Sequence, residues 1–319
     1  DRLKTYIGEV DREKNNNSIR NLIKKLSVDN NNKLIPFSKF KTKVEKDIFG
    51  IVLTAHPTFG MPAEMYEDLA NMATMTKSDG KNISLSELKK IIKKIFKTEQ
   101  RPDKNITLDY EHDLSLKALK NLQISLRDFN EQVLIISKEI YPKDYHDLSP
   151  LIFSLHTWVG YDVDGRGDIS WADTYNKRLK VKIEQLKNYI IELEKIEKLI
   201  KNSNSSRKKI LDFKKIFTVS IKNNQEIYQA LRDKNFLQDA EKVKKISKFM
   251  FENRKTLLVD NDSIIEDITK LISIINTLKI KNSNKIILKL QILKIEIKNF
   301  GLSLAKTQVR LNANQLNNA

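Results

Sequence analysis

The sequence predicts a mainly α protein carrying a few short parallel strands. Three observations lead there. Glycine (8) and proline (6) are scarce in 319 residues, while the helix-compatible Leu, Ile, Lys and Glu abound. Long segments repeat apolar residues at steps of three and four. Three short segments break that pattern: residues 50–55, 151–160 and 301–310. Each is rich in β-formers or alternates, and each is bounded by Gly or Pro. Helices separate them, and strands joined by helical crossovers run parallel.

From the N-terminus, "REKNNNSIR" and "DNNNK" read as surface turns around a short helix over 19–26. A helix over 37–49 leads into the first strand. Ser84-Leu85-Ser86-Glu87 is a capping box, followed by Leu88, Ile91, Ile92, Ile95 and Phe96 at helical spacing. The cleanest helix spans 116–140, with Leu119, Leu122, Leu126, Phe129, Val133, Ile136 and Ile140 on one seam. A second seam starts near Ala172 and runs through Leu179, Ile183, Leu186, Ile190, Leu193 and Ile200. Packing inside a helical domain explains both seams better than a coiled coil. Residues 201–209 contain no apolar side chain and read as a loop. Residues 221–255 read as two or three shorter helices. "IIEDITKLISIINTLKI" and "KIILKLQILKIEIKNF" follow, joined by Lys281-Asn282-Ser283-Asn284. No repeat of fixed period is present.

Hydrophobic residues make up 40% and charged residues 31%, an ordinary globular balance that argues against wholesale disorder. The net charge is +17, with lysines spread over the helices rather than gathered in one block. We read that charge as compositional, so no nucleic-acid partner is expected. A basic nucleic-acid binder is the alternative that the charge leaves open. There is no cysteine, which excludes disulfides, thiolate catalysis and Cys-based zinc sites and fits a cytoplasmic protein. No apolar stretch approaches a membrane span, so no membrane partner is expected. No signal peptide is visible, and the chain opens on Asp1 rather than Met.

Parallel strands gather functional groups at their carboxyl ends. That rule brings His56, the loop from Asp162 to Arg166 and Arg310 to one edge. Pro57 biases His56 away from helical backbone angles, and imidazole suits proton transfer near neutral pH. Asp162 and Asp164, two residues apart, sit between Gly160 and Gly165. A calcium loop is disfavoured, because the Glu it requires falls at Trp171. Carboxylates that orient arginines, or cap the helix after Ser170, fit better. His156 and Trp158 are expected to pack at the second strand. A guanidinium such as Arg310 at a strand end can clamp phosphate. Taken singly, each residue has a plainer reading, His56 as a buried structural histidine and Arg310 as a surface ion pair.

Together the segments resemble the phosphoenolpyruvate carboxylase family. "IVLTAHPTF" resembles its "VLTAHPTE", and "TWVGYDVDGRGD" its "SWMGGDRDGNP". "KTEQRPDKNITLDYEHDL" is similar to "TDE…R…P…DE", and "FGLSLAKTQVRLNA" to "FG…L…LDIRQES". The four matches keep their order between Phe37 and Ala313. The resemblance implies the N-terminal part of an α/β barrel surrounded by many helices. Residues 1–319 would be one incomplete domain: N-terminal helices (1–49), two barrel strands with intervening helices (50–170), a helical insertion (171–300), and a third strand with a truncated end (301–319). It implies addition of bicarbonate to phosphoenolpyruvate, giving oxaloacetate and phosphate, with Mg²⁺ or Mn²⁺ held by residues beyond 319. His56 would take the carboxyl proton. Arg310, and Arg166 from a neighbouring position, would bind the phosphorylated substrate. Thr54, Pro57, Thr58, Trp158, Gly160, Asp162, Asp164 and Gly165 would shape the site. A cytoplasmic homotetramer is implied, and these 319 residues alone are expected to be inactive. The departures are Phe59 for Glu, Tyr161 for Gly, Val163 for Arg, Arg166-Gly167 for Asn-Pro, and Leu311-Asn312-Ala313 for Gln-Glu-Ser. A carboxylase-like protein that binds a phosphorylated metabolite without turning it over is therefore the second expectation.

Overall fold

The computed structural model describes residues 12–54, 61–77, 81–99, 101, 106–151, 153–162, 169–200, 203–233, 235–278, 281–309 and 317. Helices dominate, as the composition predicts. The chain opens with α1 (Arg12–Leu26) and α2 (Phe37–Val44). "REKNNNSIR" is helical rather than a turn. Ile19, Ile23 and Leu26 sit on one face of α1 and pack with Phe40, Val133 and Tyr141, while the asparagines stay in water. Burial of that face overrides the weak helix propensity of Asn. "DNNNK" does turn: the Asp29 carboxylate accepts from the N–H groups of Asn31 and Lys33, and Asn32 takes a φ of +59°.

α2 stops at Val44, short of the expected Phe49, and β1 (Phe49–Leu53) begins there. α3 (Ala63–Thr74) and α4 (Leu85–Lys97) form an outlying hairpin. The capping box is present, with Glu87 N–H on the Ser84 hydroxyl and Ser84 N–H on the Glu87 carboxylate. α5 (Leu108–Ile140) begins eight residues earlier than its apolar seam suggests, because Thr107 caps the Tyr110 N–H. β2 (Phe153–Thr157) follows.

α6 (Trp171–Glu197) carries a second capping box, Ser170 with Asp173, so the helix after Ser170 is capped by its own first turn. The expected loop over 201–209 is wrong. Ser203 caps the Ser206 N–H and α7 (Asn204–Leu231) starts at once, absorbing the first of the expected short helices. α8 (Ala240–Glu252), α9 (Arg254–Leu257), α10 (Asn261–Leu278) and α11 (Ser283–Phe300) complete the helical part. Among the described residues β3 is only Lys306–Thr307, shorter than the expected strand over 301–310. Gly301, at φ +56°, turns the chain after α11, and only the residues beyond Ala305 pair with β2.

The three strands form one parallel sheet in the order β1-β2-β3. The register pairs Leu53 with Thr157, and Thr157 with Thr307. One face of the sheet lies on α5 and α6 through Leu116, Leu119, Leu155, Val181 and Leu304. The largest apolar cluster lies away from it, where α6, α7, α10 and α11 bury Leu186, Leu193, Phe217, Ile268, Leu290 and Leu293. α5, α6 and α11 are also clamped by charge. Arg127 donates to Glu296 at 2.8 and 3.0 Å and to Glu192 at 2.6 Å. Burial opposes the charge on Arg127, but the two carboxylates outweigh it and its pKa stays raised. Burial pushes the Glu296 carboxyl up against the pull of the same arginine.

Candidate active site

Parallel register brings all three strand exits to one edge. Trp158 N–H donates to the Leu53 carbonyl (3.3 Å), and Gln308 N–H to the Thr157 carbonyl (3.0 Å). Thr54 stands exposed just past β1. Past β2, Trp158 is buried to 9% exposure, and the chain turns at Gly160 so that Tyr161 N–H meets the Trp158 carbonyl at 2.9 Å. Asp162 is half-buried beyond it. Of the anticipated site residues, Thr54, Trp158, Gly160 and Asp162 therefore share this edge. His56, Pro57, Thr58, Asp164, Gly165, Arg166 and Arg310 lie outside the described residues, as do Phe59 and Val163.

Gly160 holds a φ of +88°, where a side chain is strained. A Cβ there would also crowd Lys177 Cγ at 3.1 Å, with His112 Cδ2 in ordinary contact at 3.5 Å. His112 on α5 and Lys177 on α6 thus form the platform under the turn. Sequence reasoning missed both. His112 carried a signal: it precedes the buried Leu116 and Leu119 by four and seven residues on the inward face of α5. Lys177 carried none, because a lysine in an amphipathic helix reads as solvated.

The platform is electrostatically unusual. His112 is 1% exposed, and neither ring nitrogen has a hydrogen-bond partner. Burial, reinforced by the charge of Lys180, lowers its pKa to about 4, so the ring is neutral at physiological pH. The Lys177 ammonium pairs with Asp109, whose carboxylate is largely in water. Burial, with Lys180 and Arg232 adding repulsion, outweighs that screened partner and lowers the lysine to about 8. Burial raises the Tyr161 phenol to about 12. The Tyr161 ring meets His112 edge-on at 6.4 Å. Arg178 donates to Ser303 (2.6 Å) and to Thr307 (2.9 Å), tying α6 to the end of β3.

Thr157 and Ser115 hydroxyls meet at 3.3 Å on the helix side of the sheet. His156 points to the other side, as strand alternation requires. Its Nε2 pairs with Ser154 Oγ at 2.7 Å and its Nδ1 with the Gln308 amide at 3.2 Å. His156 therefore packs at the strand, as expected, but within a polar chain. Among the described residues, no three His, Asp or Glu side chains converge as a metal site. The described part of the edge does not fit a divalent cation.

A family model described as phosphoenolpyruvate carboxylase matches residues 4–319. No curated protein matches the chain. Among the described residues, no helix is long and apolar enough to cross a membrane.

Proposed function

Because the chain belongs to the phosphoenolpyruvate carboxylase family, we propose that the protein containing it adds bicarbonate to phosphoenolpyruvate, giving oxaloacetate and phosphate. The match over residues 4–319, which spans all three strand exits, is the observation that carries this reading. In it the sheet continues into a barrel, with these exits on its catalytic rim. Bicarbonate oxygen attacks the phosphate, and the phosphorus–oxygen bond to the enol breaks, leaving carboxyphosphate and an enolate. His56 takes the carboxyl proton as CO₂ leaves phosphate, and the enolate carbon bonds to that CO₂. Arg310 and Arg166 hold the phosphoryl oxygens. A cytoplasmic tetramer belongs to the same reading.

The test uses the protein that carries these residues, with oxaloacetate followed by malate dehydrogenase coupling. His56→Asn is expected to lower turnover by at least about 100-fold while leaving circular dichroism unchanged. Full turnover in that variant would remove the role given to His56. Tyr161 supports a second reading, binding without turnover. It fills, at 1% exposure, a position that is Gly in the motif it resembles. Phosphoenolpyruvate binding seen by calorimetry, with no oxaloacetate formed, would favour that reading.

A further inference from the structure

The α8–α9 segment presents a second amphipathic stripe, opposite the one that builds the core. Val243, Ile246, Phe249 and Met250 pack inward against Leu179, Ile227 and Leu257. On the outer side of α8, Lys244, Lys248 and Phe251 are exposed at steps of four and three, and beyond the break at Asn253 the exposed Lys255 and Leu258 follow. Phe251 is 69% and Leu258 70% exposed, among the most exposed large apolar side chains described. Residues 240–258 hold six Lys or Arg against two Asp or Glu. Among the described residues Lys244, Lys245 and Lys255 join no ion pair, and Lys248 meets only the exposed Glu252 at 3.8 Å. The Arg254 guanidinium lies 4.6 Å from the centroid of Phe251 and donates to its carbonyl.

We propose that this stripe docks the chain on an anionic lipid bilayer surface. Exposed cations beside large apolar groups match both layers of such a surface, the charged headgroups and the acyl boundary beneath. Lysine stems can lie along apolar surface while their ammonium groups reach headgroups. Nucleic acid fits less well. One face of Phe251 is covered by Arg254, and Leu258 has no ring to stack on a base. With no spanning helix among the described residues, the contact is peripheral.

The test is co-sedimentation of the 319-residue chain with phosphatidylcholine vesicles, with and without phosphatidylserine. Binding is expected only to phosphatidylserine vesicles and is expected to weaken as salt rises. At roughly a tenfold loss per 1.4 kcal/mol and about 1 kcal/mol per cation, Lys244→Gln/Lys248→Gln/Lys255→Gln should bind about 100-fold more weakly. Phe251→Ser/Leu258→Ser should lose roughly tenfold or more while keeping its salt dependence. These side chains are solvent-exposed, and circular dichroism checks that the variants stay folded. Absence of sedimentation, or sedimentation that ignores both sets of changes, overturns the proposal. So does tighter binding to duplex DNA that the Phe251/Leu258 change leaves intact.

Discussion

The bundle of α6, α7, α10 and α11 and the carboxyl edge of the sheet solve opposite problems. The bundle buries Leu186, Leu193, Ile210, Phe217, Ile275, Leu290 and Leu293 against one another. Some of its buried polar groups close on their own helix, as Asn224 does on the Ser220 carbonyl. The sheet edge instead buries His112, Ser115, Ser154, Thr157 and Lys177. Each buried aliphatic side chain favours folding by roughly 1.5–3 kcal/mol, whereas a buried polar group without partners, here His112, costs free energy. The bundle thus supplies stability, and the edge keeps chemically useful groups at some loss of it.

The sharpest way to break this contrast lies where the two regions meet. Arg127→Ala would leave Glu296 buried without its cation and Glu192 with only the exposed Lys195 at 2.7 Å. A loss of about 3–5 kcal/mol is expected, read as a lower urea midpoint. A loss below about 1 kcal/mol would show that the carboxylates relax into water.

The next largest effect belongs to the edge. The folded pKa of His112, about 4, lies below its usual 6.5, so between those values the unfolded chain holds the extra proton. Stability is complete above pH 6.5 and falls as the pH drops toward 4, by roughly 3 kcal/mol in all. His112→Leu should flatten that part of the pH–stability curve. A curve unchanged from the parent chain would assign the acid loss to other groups.

Smaller effects sharpen the picture. Gly160→Ala forces a Cβ into the positive-φ turn and onto Lys177, and should cost about 2 kcal/mol in thermal unfolding. Ser84→Ala removes a cap from α4, which has no fully buried residue. It should weaken hydrogen-exchange protection of α4 by about 1 kcal/mol and leave protection in the bundle unchanged.

The helical seams were legible because burial repeats every three to four residues, as at Leu119, Gln123, Leu126, Asn130 and Val133 on α5. So was the parallel sheet, through three β-rich breaks between long helices. The ends were less legible. α1 and α7 extend through polar stretches because a cap such as Ser203, or a few buried side chains, decides the matter rather than local composition. At the site, the motif at residues 158–162 was legible in sequence order. Its platform was not, because His112 and Lys177 come from two separate helices and meet Gly160 only in three dimensions.

The bare backbone of Gly50 has a consequence for how this sheet can vary. A Cβ there would lie 2.9 Å from the ring of His156 on the neighbouring strand. Positions 50 and 156 therefore share a single volume. A relative that gains a side chain at the first must carry a smaller or turned one at the second. In an alignment the two columns would drift together, a correlation across strands that arises from space alone.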